Sequence, residues 1–371
     1  MQIRIKPGLR VAWRSPSSVQ IGLDGRWGTV LDGMGPTDRR LLTVLAQGHV
    51  VDPAARGRQS DVREHALVAL LAESGVGLTR PTDRVWLAEL GADRERLAPD
   101  AAAWSLVPGA APAAHAPAPD DGWYRLAARR RLGVRIVGAG RVGATLAATL
   151  AAAGVGRLDI VDAGRVQPGD LAPAGAQVAD LGSRRQDAVR AAITRAAGEA
   201  RENPQHRPPE LVVLIEPDAA DAIGAQHLLA DDVPHLSIVI REGSLIVGPL
   251  VIPGESACLR CLDLHRADRD PAWPRVLAQL LGGRAGDASG AVVAEETASA
   301  QLAASVAALQ VLALLDGDPA PGGGTRRPAS VSATLEIDLP EGLVSRREWS
   351  PHPACGCHGL PSGPTAATMA R

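Results

Sequence analysis

Two cysteine pairs, Cys258 with Cys261 and Cys355 with Cys357, are the only thiols in this chain. Thiolates at such spacings bind metal, and four of them complete a closed tetrahedral zinc site. A Cys-x-x-Cys dithiol also serves redox chemistry, but Cys258 does not open a helix behind a first strand as that use requires. Two unrelated buried pairs are the remaining reading, yet apolar packing does not require close pairs. His352 and His358 flank the second pair, as stand-ins for one cysteine or as plain loop histidines. The expectation is structural zinc on Cys258, Cys261, Cys355 and Cys357, tying the C-terminal tail to its domain.

The second chemical feature is the turn Gly138-Ala139-Gly140-Arg141-Val142-Gly143. In a strand-turn-helix setting the first glycine permits a tight bend, the second admits a phosphate, and the third lets helix and strand pack closely. Asp162, at the end of the next expected strand, is placed to accept bonds from ribose hydroxyls. Glycines also make turns without a ligand; here the order strand, turn, helix, strand and acid points to a nucleotide-binding fold.

The elements around these features divide the 371 residues into domains. Val11–Trp13, Val19–Leu23 and Gly28–Leu31 read as strands, with Asp24-Gly25 giving a turn. Thr37 is expected to cap a helix through Leu45, and Asp61 to open another carrying Val62, Leu67, Leu70 and Leu71. Residues 1–80 thus form a winged-helix-like module, and residues 81–124 a helical segment (83–97) and a Pro/Ala-rich linker (107–119) that cannot build a core. From residue 125 to 360 buried strands at 134–137, 158–162, 210–215, 236–240 and 245–247 alternate with helices at 142–153 and 184–200, the pattern of a parallel α/β sheet. Residues 266–292 read as a glycine-rich crossover, 294–315 as a long helix begun by the acids Glu295 and Glu296, 332–337 as a strand, and 361–371 as a disordered tail.

Composition excludes several classes. A net charge of −2 with interspersed signs argues against capture of nucleic acid or an anionic membrane. Residues 1–10 lack the apolar segment of a signal peptide, and the apolar run 144–155 is too short to span a bilayer. A cytoplasmic location is expected, where paired cysteines read as metal ligands before disulfides.

The stretch 137–143, the segment 153–162, Gly182-Ser183-Arg184-Arg185, the strand ending at Asp218 and the split cysteines together resemble the ThiF/MoeB/HesA adenylyltransferase superfamily over about residues 125–360. The resemblance implies ATP and magnesium at the glycine turn (Gly138, Gly140, Gly143), adenylation of a partner's C-terminal carboxylate, a homodimer and a structural zinc. It implies that Asp162 holds ribose, that Arg185 stands at a phosphate-binding lysine, and that Asp218 is the magnesium-handling acid, the one catalytic residue if the chain is active. The chain departs from the pattern at Gly164, where an acid is expected, over Asp170-Leu171-Ala172-Pro173-Ala174 in place of an Asn-Leu-x-Arg-Gln segment, and at Ile223 in place of arginine. Nucleotidyl transfer depends on cations that neutralise the phosphates, so the loss of two arginines predicts little chemistry.

The first module is similar to PqqD-like leader-recognition modules, and its fusion to a ThiF-like domain resembles leader-binding partners of YcaO cyclodehydratases in azole-forming ribosomal peptide pathways. That implies a precursor leader peptide added as a strand along Gly28, Thr29, Val30, Leu31 and Asp32, its side chains reaching a groove beside Val62, Ala66 and Leu70. A winged helix is also a common DNA reader, but Arg63 is offset here by Glu64 and Glu73. The expected function is therefore capture and presentation of a precursor to a YcaO enzyme. The alternative is an active adenylyltransferase charging a carrier or peptide carboxylate; an NAD-dependent oxidoreductase explains neither the cysteines nor the first module.

Overall fold

Short β-rich runs separated by turn residues dictate the first part of the computed structural model, which describes residues 2–54, 62–79, 84–107, 121–198, 207–284, 293–317 and 327–358. Asp61, the linker from 108 to 119, the glycine-rich 285–292 and the tail 361–371 lie outside the described residues. The chain divides into two units, Met1–Ala128 with Asp318–Thr325, and Arg129–Gly317 with Arg326–Arg371.

The first unit contains β1 (Arg4–Ile5), β2 (Val11–Ser15), β3 (Ser18–Ile21), β4 (Thr29–Asp32), α1 (Pro36–Ala46), α2 (Val62–Glu73), β5 (Gly77–Leu78), α3 (Arg84–Leu90), α4 (Asp93–Arg96), α5 (Ala98–Trp104) and α6 (Trp123–Arg129). Strands β2, β3 and β4 form an antiparallel sheet in that order, with Trp13 opposite Val19 and Val19 opposite Leu31. Strand β4 is an edge strand of this sheet. The inward residues Val19, Ile21, Leu42, Leu45 and Leu71 share one aliphatic core, as a chain without phenylalanine must. Helix α1 is not capped by Thr37: Gly35 is the cap residue and Pro36 the first helical position, where a missing N–H is harmless. Asp38 closes this end, accepting the Gly35 N–H at 2.7 Å and Arg63 Nε of α2 at 2.7 Å.

The second unit contains β6 (Gly133–Val137), α7 (Arg141–Ala152), β7 (Arg157–Val161), α8 (Arg185–Ala197), β8 (Leu211–Pro217), α9 (Gln226–Ala230), β9 (His235–Arg241), β10 (Ser244–Val251), α10 (Leu259–Arg269), α11 (Trp273–Arg284), α12 (Thr297–Asp316), β11 (Ala333–Asp338) and β12 (Leu343–Glu348). The seven strands lie in the order β12-β11-β10-β9-β8-β6-β7. Strands β7, β6, β8 and β9 are parallel, and β10 to β12 continue the sheet antiparallel after a tight turn at Glu242-Gly243. Helices α7 and α12 pack through small residues, including Ala147, Ala303 and Ala307, onto Ile136, Val213, Ile238 and Val247. Alanine permits this close approach, which is why α7 is buried on most of its circumference.

Two sequence expectations change here. The segment 266–284 is not a glycine-rich crossover but the end of α10 and all of α11; Gly282 and Gly283 are carried inside a helix by their leucine-rich neighbours. The longest apolar segment is α12, not 144–155; among the described residues it alone is long and apolar enough to cross a membrane, and half of it is buried inside the unit. Its packing against α7 and β10 makes it a core helix.

Candidate nucleotide crevice and metal centre

The parallel half of the sheet positions the first site. Strand β6 lies between β7 and β8, so the chain leaves it at a point where successive crossovers diverge, and ligands of such sheets settle outside these carboxyl ends. Gly138 follows β6, Asp162 follows β7 and Asp218 follows β8, which brings three sequence-predicted residues to one rim. Gly138 has φ +99°, and a Cβ there would stand 2.7 Å from the Ile215 carbonyl oxygen. A Cβ on Gly143 would collide with the Gly138 carbonyl, whereas on Gly140 its nearest neighbour is Asp170 Oδ1 at 3.9 Å. Gly138 and Gly143 are thus fixed by packing, and Gly140 keeps an open approach.

Asp162 anchors the turn: its carboxylate accepts the Ala139 N–H and the Gly164 N–H, both at 2.7 Å. At Gly164, where an acid was expected, a Cβ would meet Asp162 Oδ1 at 2.9 Å and Arg185 Nη1 at 3.2 Å. The space an acid would need is filled by Arg185. That arginine, at the start of α8, forms a two-pronged bond with Asp170 through Nε at 2.9 Å and Nη2 at 2.8 Å, and lies 3.6 Å from Asp162. Asp170 also accepts the Gln167 N–H at 2.8 Å, so the residue opening the departed Asn-Leu-x-Arg-Gln segment is a buried acid holding Arg185. Arg141, first in α7, donates from Nη1 to the Glu295 carbonyl at 2.8 Å and to Thr297 Oγ1 at 3.3 Å.

Asp218 is exposed and left-handed, with φ +66°, a strained state for a non-glycine residue. Its carbonyl accepts Arg241 Nε at 3.1 Å, a contact sequence spacing did not reveal. Ile223 is exposed and supplies no charge at the rim. The acids and the glutamate come from distant segments: Asp162 and Asp170 face the Arg185 guanidinium, Glu295 lies in the field of Arg141, Arg185 and Asp170, and Asp218 is met by Arg241. The carboxylates of Asp162 and Asp170 thus already occupy the Arg185 guanidinium that a phosphate would otherwise attract.

The acid pair Glu295-Glu296 splits in role. Glu296 caps α12, accepting the Ser299 N–H at 2.9 Å, as an acid at a helix start should. Glu295 turns away toward α7, and burial pushes its carboxyl above the usual range despite Arg141 nearby.

The four cysteines converge at the start of α10, which Cys258 caps and which carries Cys261. Their sulfurs lie within 4.8 Å of one another, with Cys258 to Cys261 at 3.8 Å, Cys258 to Cys355 at 3.5 Å and Cys261 to Cys357 at 3.4 Å. A disulfide needs about 2.0 Å, and all four are free. A tetrahedron with metal–sulfur bonds of about 2.3 Å has edges of about 3.8 Å, so the quartet fits zinc. Burial pushes the Cys258 thiol up and Cys357 up to about 12; burial acts the same way on Cys261, but the N–H groups of His352 and Cys258 outweigh it and hold that thiol low. An entering metal therefore displaces protons.

The flanking histidines do not take a cysteine's place. His352 donates its backbone N–H to Cys261 Sγ at 3.3 Å, while Nδ1 accepts the Ala354 N–H at 3.1 Å. The imidazole proton is then on Nε2, which bonds Asp268 at 2.9 Å. His265, Asp268 and His352 lie close enough to chelate a cation, but this tautomer serves a clamp holding the cysteine loop to α10. Asp268, on α10, is exposed and bonded to His352. His358 is exposed.

Residues 115–357 match the profile of the ThiF family. No curated protein matches the sequence. Among solved structures, E. coli MccB with AMPCPP and MccA aligns at a TM-score of 0.66 and 12% identity, covering 97% of this chain and 100% of that one. The Microcin C7 biosynthetic enzyme MccB in complex with N-formylated MccA aligns at a TM-score of 0.64 and 12% identity, covering 97% and 100%. PaaA aligns at a TM-score of 0.63 and 14% identity, covering 93% and 100%. These likenesses establish a shared fold.

Proposed function

We propose, from the premise that this chain belongs to the ThiF family, that it binds the leader segment of a ribosomal precursor peptide and presents it to a YcaO cyclodehydratase that forms azolines from Cys, Ser or Thr, without adenylating anything itself. The observation that carries the reading is the bond of Arg185 to Asp170. It consumes the cation a triphosphate needs, and Pro173, Ala174 and Ile223 supply no replacement.

What remains for the chain is recognition. Strand β4 (Thr29–Asp32, after Gly28) offers a sheet edge to an extended peptide, which would gain main-chain bonds there. Val30 is 41% exposed on that strand, and Val62, Ala66 and Leu70 form an exposed apolar line at four-residue spacing on α2. Arg63 Nη2 reaches the Gly33 carbonyl at 2.6 Å, so the start of α2 borders the end of β4. A PqqD-like module would use such a strand edge beside a helix to take up a peptide. The likeness to MccB, seen with MccA bound, is consistent with a peptide-handling role on this fold. In this reading Cys258, Cys261, Cys355 and Cys357 would hold structural zinc, the protein works in the cytoplasm, and the ThiF unit forms a homodimer. Titrating a fluorescent leader peptide against the full chain tests it: saturable binding is expected, and its absence overturns the reading.

One observation favours an ATP-dependent adenylyltransferase: Gly138, Gly140 and Asp162 keep the nucleoside side of the crevice intact, and MccB is seen with AMPCPP. Magnesium-dependent ATP–pyrophosphate exchange, abolished by Asp218→Ala, would establish it.

A further inference from the structure

The N-terminus of α7 is the natural anion position in the crevice, because its free N–H groups and the helix dipole point toward the glycine turn. In this chain an internal carboxylate already stands there. The side chain of Glu295 lies beside the backbone N–H of Val142, second residue of α7, which favours its ionised form. The carbonyl of the same Glu295 takes Arg141 Nη1 at 2.8 Å, and Thr297 Oγ1 adds a contact at 3.3 Å. Glu295 is thereby tied by its main-chain carbonyl to the first residue of α7, with its carboxyl group beside the same turn. Its Oε1 is buried without a partner, and so is Arg141 Nε. A residue that only stabilised the helix end would satisfy its oxygens, as Glu296 does one position later with the Ser299 N–H and hydroxyl.

We propose that Glu295 is an autoinhibitory stand-in for a nucleotide phosphate: it occupies the α7 N-terminus and fixes Arg141, so an adenosine triphosphate must displace it to enter. Asp170 completes the blockade by holding Arg185 from the other side, 15 residues upstream of it. The charge field agrees, since Asp170 opposes ionisation of Glu295 while Arg141 and Arg185 favour it. Glu295 thus stands before the N–H donor with its carboxyl group and holds the guanidinium with its main-chain carbonyl, and substituting its side chain frees the first position alone. The inference rests on the reading that the crevice is a retired nucleotide site, and explains how it is kept shut.

The test is equilibrium binding of magnesium ATP to the full chain, by calorimetry, in four forms: wild type, Glu295→Gln, Glu295→Ala and Glu296→Gln. Glutamine keeps the shape of the plug and removes its charge; alanine removes both. The expected result is weak binding by wild type and Glu296→Gln, and at least a tenfold gain in affinity for Glu295→Gln and Glu295→Ala. Binding no tighter in both Glu295 variants than in wild type, whether all forms bind or none does, overturns the proposal, as does tight binding by wild type. Circular dichroism melting checks that each variant is folded, and the alanine form serves if the glutamine form is not. Leader-peptide titration of the same samples separates the two claims, because loss of peptide binding with a gain in nucleotide affinity sinks only the peptide-capture function.

Discussion

Arg185 and Asp170 meet edge to edge, Nε and Nη2 reaching the two carboxylate oxygens at 2.9 and 2.8 Å. This geometry needs a planar fork, and an ammonium cannot reproduce it. Arg185→Lys is therefore expected to lower stability by about 1–2 kcal/mol, after allowing for the partial exposure of the arginine. Urea unfolding reads the change as a shifted midpoint at constant slope; an unchanged midpoint would show that the pair contributes nothing.

The glycine turn gives a paired prediction. Gly143→Ala sets a methyl against the Gly138 carbonyl, where neither backbone segment can yield, while Gly140→Ala meets nothing closer than Asp170 Oδ1 at 3.9 Å. The first should cost about 2 kcal/mol or more and the second less than about 1 kcal/mol. Thermal melting of both variants decides it, and equal losses would contradict the assigned packing.

The strand–glycine turn–helix–strand order of the second unit is legible in the sequence because buried strands are short apolar runs and the turn is local. The cysteine quartet is legible too, since two close pairs announce a shared ligand even 97 residues apart. The pairing of Arg185 with Asp170 is not, because an arginine's partner is chosen by loop geometry over 15 residues. Glu295 is harder still: it meets Arg141 across 154 residues, and side by side with Glu296 it looks like a second helix-start acid. Helices α10 and α11 are hidden by Pro271, Pro274 and the glycines of the segment, which weigh against helix until the apolar contacts of Leu262 and Trp273's bond to Asp263 are known.

Metal content is the direct check on the cysteines. About one zinc per chain is expected, and Cys258→Ser or Cys355→Ser should abolish retention and lower the melting temperature by about 5 °C or more. Because entry displaces thiol protons, zinc retention rises with pH and fails first on acidification. Far less than one zinc per chain in the unsubstituted protein, measured by mass spectrometry of the metal, removes the site.

Asp38 carries a pH dependence in the first unit. Burial alone would raise its carboxyl, but Arg63 and the Gly35 N–H outweigh burial and hold it below the ordinary value of 3.8. A depressed carboxyl stabilises the fold above its unfolded pKa and loses that contribution as pH falls through the folded one, so the loss is confined to below about pH 4. Asp38→Asn should cost about 1–2 kcal/mol at neutral pH, combining the helix-start bond and a half-exposed ion pair. The difference between wild type and variant should shrink as pH falls below about 4; a difference independent of pH would assign the effect to shape.

The apolar line on α2 separates recognition from stability. Leu67, Val68 and Leu71 face the core and are buried, while Val62 is 84% and Leu70 40% exposed on the opposite side. Exposed leucine and valine at this spacing gain nothing in the isolated module, and a charge there disturbs little of the fold. Val62→Asp and Leu70→Glu are therefore expected to leave the melting temperature within about 2 °C of wild type. If a leader peptide lies between β4 and α2, each charge buries against its apolar side chains and weakens binding by about tenfold or more, because an unpaired carboxylate is costly to desolvate. Val30→Asp on the edge strand should act in the same direction. Unchanged affinity in all three variants would place any peptide site elsewhere on the chain, and loss of affinity accompanied by unfolding would be separated from true loss of contact by the melting curves.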